Sequence, residues 1–348
     1  MGCEMNIKKL KLEKEMYQEA CNKGQTFGQL LEGMDPSEEY GDGPLSKLTA
    51  VERQLAAHDI QVKGPSADIL QKFFATTSST VLFPDYVAAQ VHAGMMAASI
   101  LPSLVATTTN IDSHTYKKLK MAESEAQRQM HIMGEGAVIP TTSLTPADHA
   151  VNLVKFGRML EASYEALRLQ RINVVSVFLQ RLGAQIGLDE SDWAIATIIN
   201  GDGNSNALVD IDSEVSGTLD YDELVRLWIA FANGYKLNTI VVGDALLRML
   251  LNMNEFKDPD AGFSFQRTGE LVSPLGASLV QWSSTAVLPT DYVLGVDRRF
   301  GLEQITEQEV TTEVDRLIDR QLERTAVTKW TGFAKLHDAA FQAIDVTH

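Results

Sequence analysis

The sequence predicts an α+β protein: one long amphipathic helix, a lobe of alternating short helices and strands, and a long β excursion. The helix is read from Ile172, Val175, Leu179, Leu182 and Ile186, whose steps of three and four residues place them on one face. The lobe is read from Asp220 to Val296, where helical periodicity alternates with short apolar runs. The excursion is read from Thr107 to Arg158. A polar strand-like run, His114 to Lys120, leads out, and a second, Ala150 to Phe156, leads back around a Gly- and Thr-rich stretch. So long a connection is uncommon inside a compact domain unless it is functional or disordered. A two-stranded arm is marginal alone, so its supporting surface is expected on another subunit.

Taken in order, Ile7 to Ala20 reads as a charged helix, with Leu10, Lys14, Tyr17 and Cys21 at helical spacing. A breaker-rich region follows, Gly33-Met34-Asp35-Pro36 through Gly41-Asp42-Gly43-Pro44, and a second short helix from Thr49 to Ile60 ends before Gly64-Pro65. Between Gly33 and Gly64 the apolar residues are too few to close a core. Two readings stay open: a flexible leader with transient helices, or a segment that orders only in an assembly. An apolar stretch follows, in which Pro84 is expected to start a helix and Pro102 to end it, with Met95 and Met96 as core residues.

The long helix pattern breaks at Gly187 and resumes through Trp193 and Ala196 to Ile199, stopping at Asn200-Gly201-Asp202-Gly203-Asn204. It is either one kinked helix or two in series. Asp220 can cap the next helix, with Glu223 placed to bond back, a face of Leu224, Leu227, Trp228 and Phe231, and a stop at Asn233-Gly234. Thr239 to Val242 reads as a buried strand, Gly243-Asp244 turns into a helix from Ala245 to Leu251, and strands follow at Ser278–Trp282 and Tyr292–Val296. Near the end, Val314, Leu317, Ile318 and Leu322 suit a helix and Thr325 to Ala334 a strand.

Composition narrows the function classes. The 348 residues are 45% hydrophobic and 22% charged, enough for one elaborate domain or two. The net charge of −16, from 46 acids against 30 bases, repels phosphate backbones and argues against direct nucleic-acid binding. No run approaches the roughly 18 apolar residues of a membrane span. Met1-Gly2-Cys3-Glu4 lacks the apolar core of a secretory signal, and Asn6 stands where myristoylation prefers Ser or Thr. The two cysteines, Cys3 and Cys21, cannot frame a disulfide scaffold and fit a reducing compartment.

The search for chemistry is negative, and no catalytic, cofactor-binding or metal-binding residue is assigned. Phosphate-loop, zinc-protease and nucleophile-elbow motifs are absent, and neither cysteine forms a C-x-x-C pair. Asp210-Ile211-Asp212-Ser213-Glu214 fails as a calcium loop, because Val215 replaces the turn glycine and Tyr221 the bidentate acid. His92, His114 and His131 lack ligand spacing. Gly201-Asp202-Gly203-Asn204 follows a helix, so it reads as a turn and not as a phosphate cradle.

The order of parts resembles the major capsid protein of tailed bacteriophages, the Hong Kong 97-type fold. Leu182-Gly183-Ala184-Gln185-Ile186 through Asp192-Trp193-Ala194 to Asn200-Gly201-Asp202-Gly203 resembles that family's spine helix and its end. Thr239-Ile240-Val241-Val242-Gly243-Asp244-Ala245-Leu246-Leu247 resembles the strand-to-helix step of its axial domain, and Thr331-Gly332-Phe333-Ala334-Lys335-Leu336 with Ala340-Phe341 its final peripheral strands. The resemblance spans roughly residues 76–348. It implies a scaffold-like helical leader (1–75), an N-terminal arm (76–112), an extended loop over a neighbouring subunit (113–158), a peripheral domain with the spine helix (159–217), an axial domain (218–310) and a return to the peripheral domain (311–348).

The implied function is structural and non-enzymatic, without cofactors. Copies are expected to assemble as hexamers and pentamers into an icosahedral virion head, made in the host cytoplasm, that encloses DNA without specific binding or membrane. Scaffold, portal and decoration proteins are further expected partners. Some family members crosslink through a loop lysine; here the tip, Glu125 to Gly136, holds only Arg128 as a base, while Lys117, Lys118 and Lys120 sit nearer the root. Two alternatives remain: an encapsulin-type shell around cargo enzymes, and a soluble α/β enzyme built on Asp202, Asp210, Asp220 and Asp222.

Overall fold

The computed structural model describes residues 7–23, 25–41, 43–121, 130, 132–139, 141–163, 169–232, 234–257, 274–284, 287–317 and 319–348. In chain order the helices are α1 (Glu15–Asn22), α2 (Phe27–Met34), α3 (Ala50–Ala57), α4 (Thr77–Ala98), α5 (Ile172–Asn200), α6 (Tyr221–Ala230), α7 (Asp244–Asn252) and α8 (Asn254–Lys257). The strands are β1 (Val105–Asn110), β2 (Thr115–Tyr116), β3 (Leu119–Met121), β4 (Leu144–Pro146), β5 (Val151–Asn152), β6 (Val154–Ser163) and β7 (Asp210–Asp212). They continue with β8 (Thr239–Val242), β9 (Ser278–Gln281), β10 (Tyr292–Val296), β11 (Leu302–Leu317), β12 (Leu322–Lys335) and β13 (Phe341–Asp345). The chain divides into two compact units: Met1–Ala98 with Phe156–Gly187 and Val310–Lys329, and Ser99–Lys155 with Leu188–Glu309 and Trp330–His348. Among the described residues no helix is long and apolar enough to cross a membrane.

In the first unit the leader is folded, although the apolar residues between Gly33 and Gly64 are too few to close a core by themselves. Phe27, Leu31 and Leu55 are buried in one cluster with Leu82 and Val91 of α4 and with Ile172 and Leu179 of α5. The core closes because these sparse residues are pooled with the apolar helices that follow, instead of packing on one another alone. Helix α1 is shorter than its periodicity suggests: residues 7–13 precede it without regular structure and are clasped by Gln54, whose amide nitrogen donates to Lys8 O at 2.7 Å and whose Oε1 accepts from Leu10 N at 3.0 Å. Both α2 and α3 begin in capping boxes, Thr26 with Gln29 and Thr49 with Glu52, which satisfy otherwise orphaned amides.

Helix α4 starts at Thr77, so Pro84 lies inside it and not in its first turn. Reciprocal bonds at 3.1 Å between Thr76 and Ser79 set the earlier start. Helix α5 is one continuous helix of 29 residues through Gly183 and Gly187. The glycines serve packing: a Cβ at Gly183 would lie 1.9 Å from Val91 O, one at Gly187 2.5 Å from Met95 O, and one at Gly94 2.0 Å from Gln180 O. The α4 and α5 backbones touch there, leaving no room for a side chain. Leu179 is buried, whereas Leu182 is only partly so. The helix expected at Val314 to Leu322 is instead strand, since β11 runs to Leu317. The β-branched Val310, Thr311 and Thr312 favour an extended chain, and β12 lies beside β11 in the sheet order β1-β11-β12-β6. Ile318 lies outside the described residues.

The second unit is built on a five-stranded sheet of order β7-β13-β10-β8-β9. Strand β10 is antiparallel to β13 and β8, while β7 and β9 pair in parallel with β13 and β8. Ile240, Val242, Val293 and Ile344 pack on one side with Leu224, Leu227, Leu246 and Leu250 of α6 and α7. Val241, Leu294 and Ala343 pack on the other with Ala194, Ile195 and Ile198 of α5. Covering both faces explains why Thr239 to Val242 is an unbroken buried run. Asp220 caps α6 as expected, but Glu223 does not return the bond. It accepts instead from Glu214 N at 2.7 Å and pairs with Arg226 at 2.8 Å. Helix α6 ends at Ala230, earlier than Asn233-Gly234; Asn233 lies outside the described residues.

Candidate functional site

In the second unit, the root of the β excursion meets the stop of the long helix. Two short ladders build the root: β2 with β5, where Thr115 faces Asn152, and β3 with β4, where Leu119 faces Pro146. Beyond Met121 and before Leu144, the described residues carry no regular structure. The α5 stop is set by Gly201 at φ +84°, where a Cβ would come 2.7 Å from Asn206 Oδ1. That same oxygen accepts from Asp202 N at 3.0 Å, so the turn closes on its own side chains and leaves no phosphate cradle.

A buried polar knot fastens the root to this turn. Lys118 Nζ donates to Asp202 Oδ2 at 2.5 Å and to Lys335 O at 2.6 Å, and Lys335 N donates to the same Asp202 oxygen at 3.0 Å. Asp202 thus joins the outgoing strand run, the α5 stop and the end of β12. Lys335 Nζ in turn donates to Asn206 O at 2.7 Å and Ile198 O at 3.3 Å, the latter a carbonyl of the last helical turn. On the returning side, His149 N donates to Asn204 Oδ1 at 2.9 Å. Burial would raise the Asp202 carboxyl, but hydrogen bonds from Lys118 and Asn204, with the Lys118 charge, hold it below the ordinary carboxylate range. Burial pushes the Lys335 ammonium below its ordinary value, against the opposing pull of Asp338 and Asp202.

A second fastening lies one strand away. His114 Nδ1 is 2.6 Å from Glu307 Oε2, and its ring packs 4.9 Å from that of Trp330. Lys155 Nζ lies 5.6 Å from the same Trp330 ring, so both sides of the root engage one indole. Tyr116 donates to Glu303 at 3.1 Å above an apolar cluster of Val151, Leu153, Ile305 and Ala334. The root is held by charge, ring and apolar contacts. Beyond it the surface is bare: Ile132, Val138 and Ile139 are exposed, Ile132 fully so, as are Leu119 and Leu144 at the β3–β4 ladder.

The residues considered for chemistry are dispersed. Asp202 belongs to the knot, Asp210 lies in β7 and accepts from Tyr292 Oη at 2.6 Å, Asp220 caps α6, and Asp222 is exposed in its first turn. The segment read against a calcium loop is strand β7, paired with β13. Among the described residues no group of three or more His, Cys, Asp or Glu side chains is placed to hold a metal. His92 is exposed, and His131 lies outside the described residues, as does the loop tip from Glu125 to Gln129 with Arg128. Lys117 and Lys120 are exposed, whereas Lys118 is buried in the knot. Sequence reading missed Glu303, Glu307, Trp330 and Lys335. The available signal was a set of charged residues within otherwise strand-like runs.

Known proteins share this architecture. A family model described as phage capsid protein matches residues 147–338. The capsid of the cyanophage P-SCSP1u superposes at a TM-score of 0.51, with 13% identity, over 71% of this chain and 88% of that one. The capsid of the native GTA particle superposes at 0.50, with 14% identity, over 74% of this chain and 91% of that one. No curated protein matches the chain by sequence.

Proposed function

This chain belongs to the phage capsid protein family and is a structural shell component, and we propose that its copies group as hexamers and pentamers in an icosahedral head around phage DNA. The observation that carries the reading is the excursion at residues 113–158: a root fastened by the buried Lys118–Asp202 ion pair, and an outer part that exposes apolar side chains. In water that surface is costly, so it calls for a partner, and a second copy of the chain supplies one. In this reading the outer loop lies over a neighbouring subunit. The first half of α5 offers a fitting face, because Val174, Val177 and Phe178 are exposed at adjacent helical positions.

The remaining segments take roles consistent with that arrangement. Residues 76–112 form an N-terminal arm, 159–217 with 311–348 a peripheral domain, and 218–310 an axial domain around the capsomer centre. The acidic chain, at −16, would enclose a genome without adhering to its phosphates. Electron microscopy of purified protein tests the proposal, together with nuclease protection of the contents. Closed shells that protect DNA are expected in infected-cell lysates. Discrete small oligomers under all conditions would sink it, and shells filled with protein cargo would favour the encapsulin-type alternative.

A further inference from the structure

We infer that the leader, residues 7–75, is a permanent helical cap of the first unit and stays in the finished particle. A detachable scaffold should leave behind a subunit whose surface is already polar. Here Phe27, Leu31 and Leu55 share one cluster with Val91 of α4 and with Ile172 and Leu179 of α5. Detaching the leader would uncover the apolar side of the two helices that cross at Gly94 and Gly183.

The leader also carries its own internal specification. Arg53 is fully buried and binds Asp35 Oδ2 through Nε at 3.2 Å, Glu32 Oε2 through Nη2 at 3.0 Å, Ser37 Oγ at 2.8 Å and Leu48 O at 2.6 Å. Tyr40 donates to the other oxygen of Asp35 at 2.7 Å, while the Arg53 guanidinium lies 5.0 Å from the centre of its ring. One cation therefore ties α2, the turn after it and α3 into a single piece. A buried charge so completely partnered belongs to a unique fold, not to a segment that orders transiently. The leader is further fastened to α4, since Tyr17 Oη donates to Val81 O at 2.8 Å. Tyr17 also stacks on Phe27 with ring centres 4.2 Å apart.

Two measurements on the full chain test this. Hydrogen exchange of the purified protein needs no shell. Amides of Leu30, Leu31 and Leu55 are expected to exchange within about tenfold of those from Val175 to Leu179. Leader amides exchanging at free-peptide rates while α5 stays protected would overturn the inference. The second measurement rests on the shell reading: quantitative peptide mapping of particles that hold nucleic acid. Peptides from residues 7–75 are expected in equal molar amount, within about twofold, to peptides from residues 172–200. A cut near Gly43-Pro44 or Gly64-Pro65 with both pieces still present would also support the cap. Loss of the leader peptides from intact particles would overturn it and leave the shell reading standing. Failure to find particles would sink the shell reading, with exchange then deciding the cap alone.

Discussion

Asp202 and Asp85 show how one residue type behaves oppositely in two settings. Asp202 is buried with Lys118 beside it, so the fold prefers its charged form. Lys118→Met leaves that carboxylate buried without its cation, at a cost of about 3–5 kcal/mol. Urea unfolding should show this loss, and Lys118→Met with Asp202→Asn should recover part of it; a single variant as stable as the parent would sink the knot. Because its folded pKa is lowered, Asp202 contributes fully above the ordinary Asp value of about 3.9, and the contribution is lost as pH falls through the folded pKa. Asp85 sits in α4 with burial as the cause of its shift, and its carboxyl is pushed up to about 6. The fold therefore prefers it protonated, and its contribution is lost as pH rises through that value. Asp85→Asn should stabilise the chain by roughly 2–3 kcal/mol at pH 7 and by little near pH 4. Thermal melts at the two pH values check the sign, and equal effects at both would contradict the burial argument.

At the level of elements, the α4–α5 crossing and the arm make contrasting demands. Alanine is a better helix former than glycine by about 1 kcal/mol, so an isolated α5 would gain from Gly183→Ala. The crossing reverses this expectation, because the new Cβ would fall 1.9 Å from Val91 O. The helices must separate, and the chain should lose roughly 1–3 kcal/mol net, read as a lower urea midpoint. A gain in stability would mean that the crossing is looser than described. The arm should behave in the opposite way. Shortening the arm within residues 123–143 removes exposed apolar surface but spares both root ladders, so the subunit should melt within a few degrees of the parent while shells fail to form. Normal shells from that variant would show that the outer arm is not an assembly contact.

For the whole molecule, charge and apolar surface oppose each other. Each copy carries −16, and a shell brings many copies together. Salt shortens the reach of that repulsion from about 30 Å at 0.01 M to about 3 Å at 1 M while leaving apolar contacts in place. Assembly followed by light scattering should therefore accelerate as salt rises, and a slowing would indicate that ion pairs dominate between subunits. The same balance bears on the leader: its surface is charged, but its inner residues join the core of α4 and α5.

The sequence by itself determined the α+β class, the buried face of α5, the strand-to-helix step at Val242 to Asp244 and the outward and returning runs of the arm. Each is a local pattern, a period of two or 3.6 with turn residues at its ends, and local patterns survive in one dimension. It also carried the resemblance to tailed-phage capsids, which the fold and family match bear out. Only the tertiary structure decided that the leader's few apolar residues suffice, because their partners stand far along the chain in α4 and α5. Only it showed why glycines interrupt α5 without breaking it, since the reason is another helix's carbonyl. Lys118, Asp202 and Lys335 came together for the same reason. Nothing in a lone lysine, a turn aspartate and a strand-end lysine says they will meet, because burial of charge is settled by which distant segments the fold brings into one place.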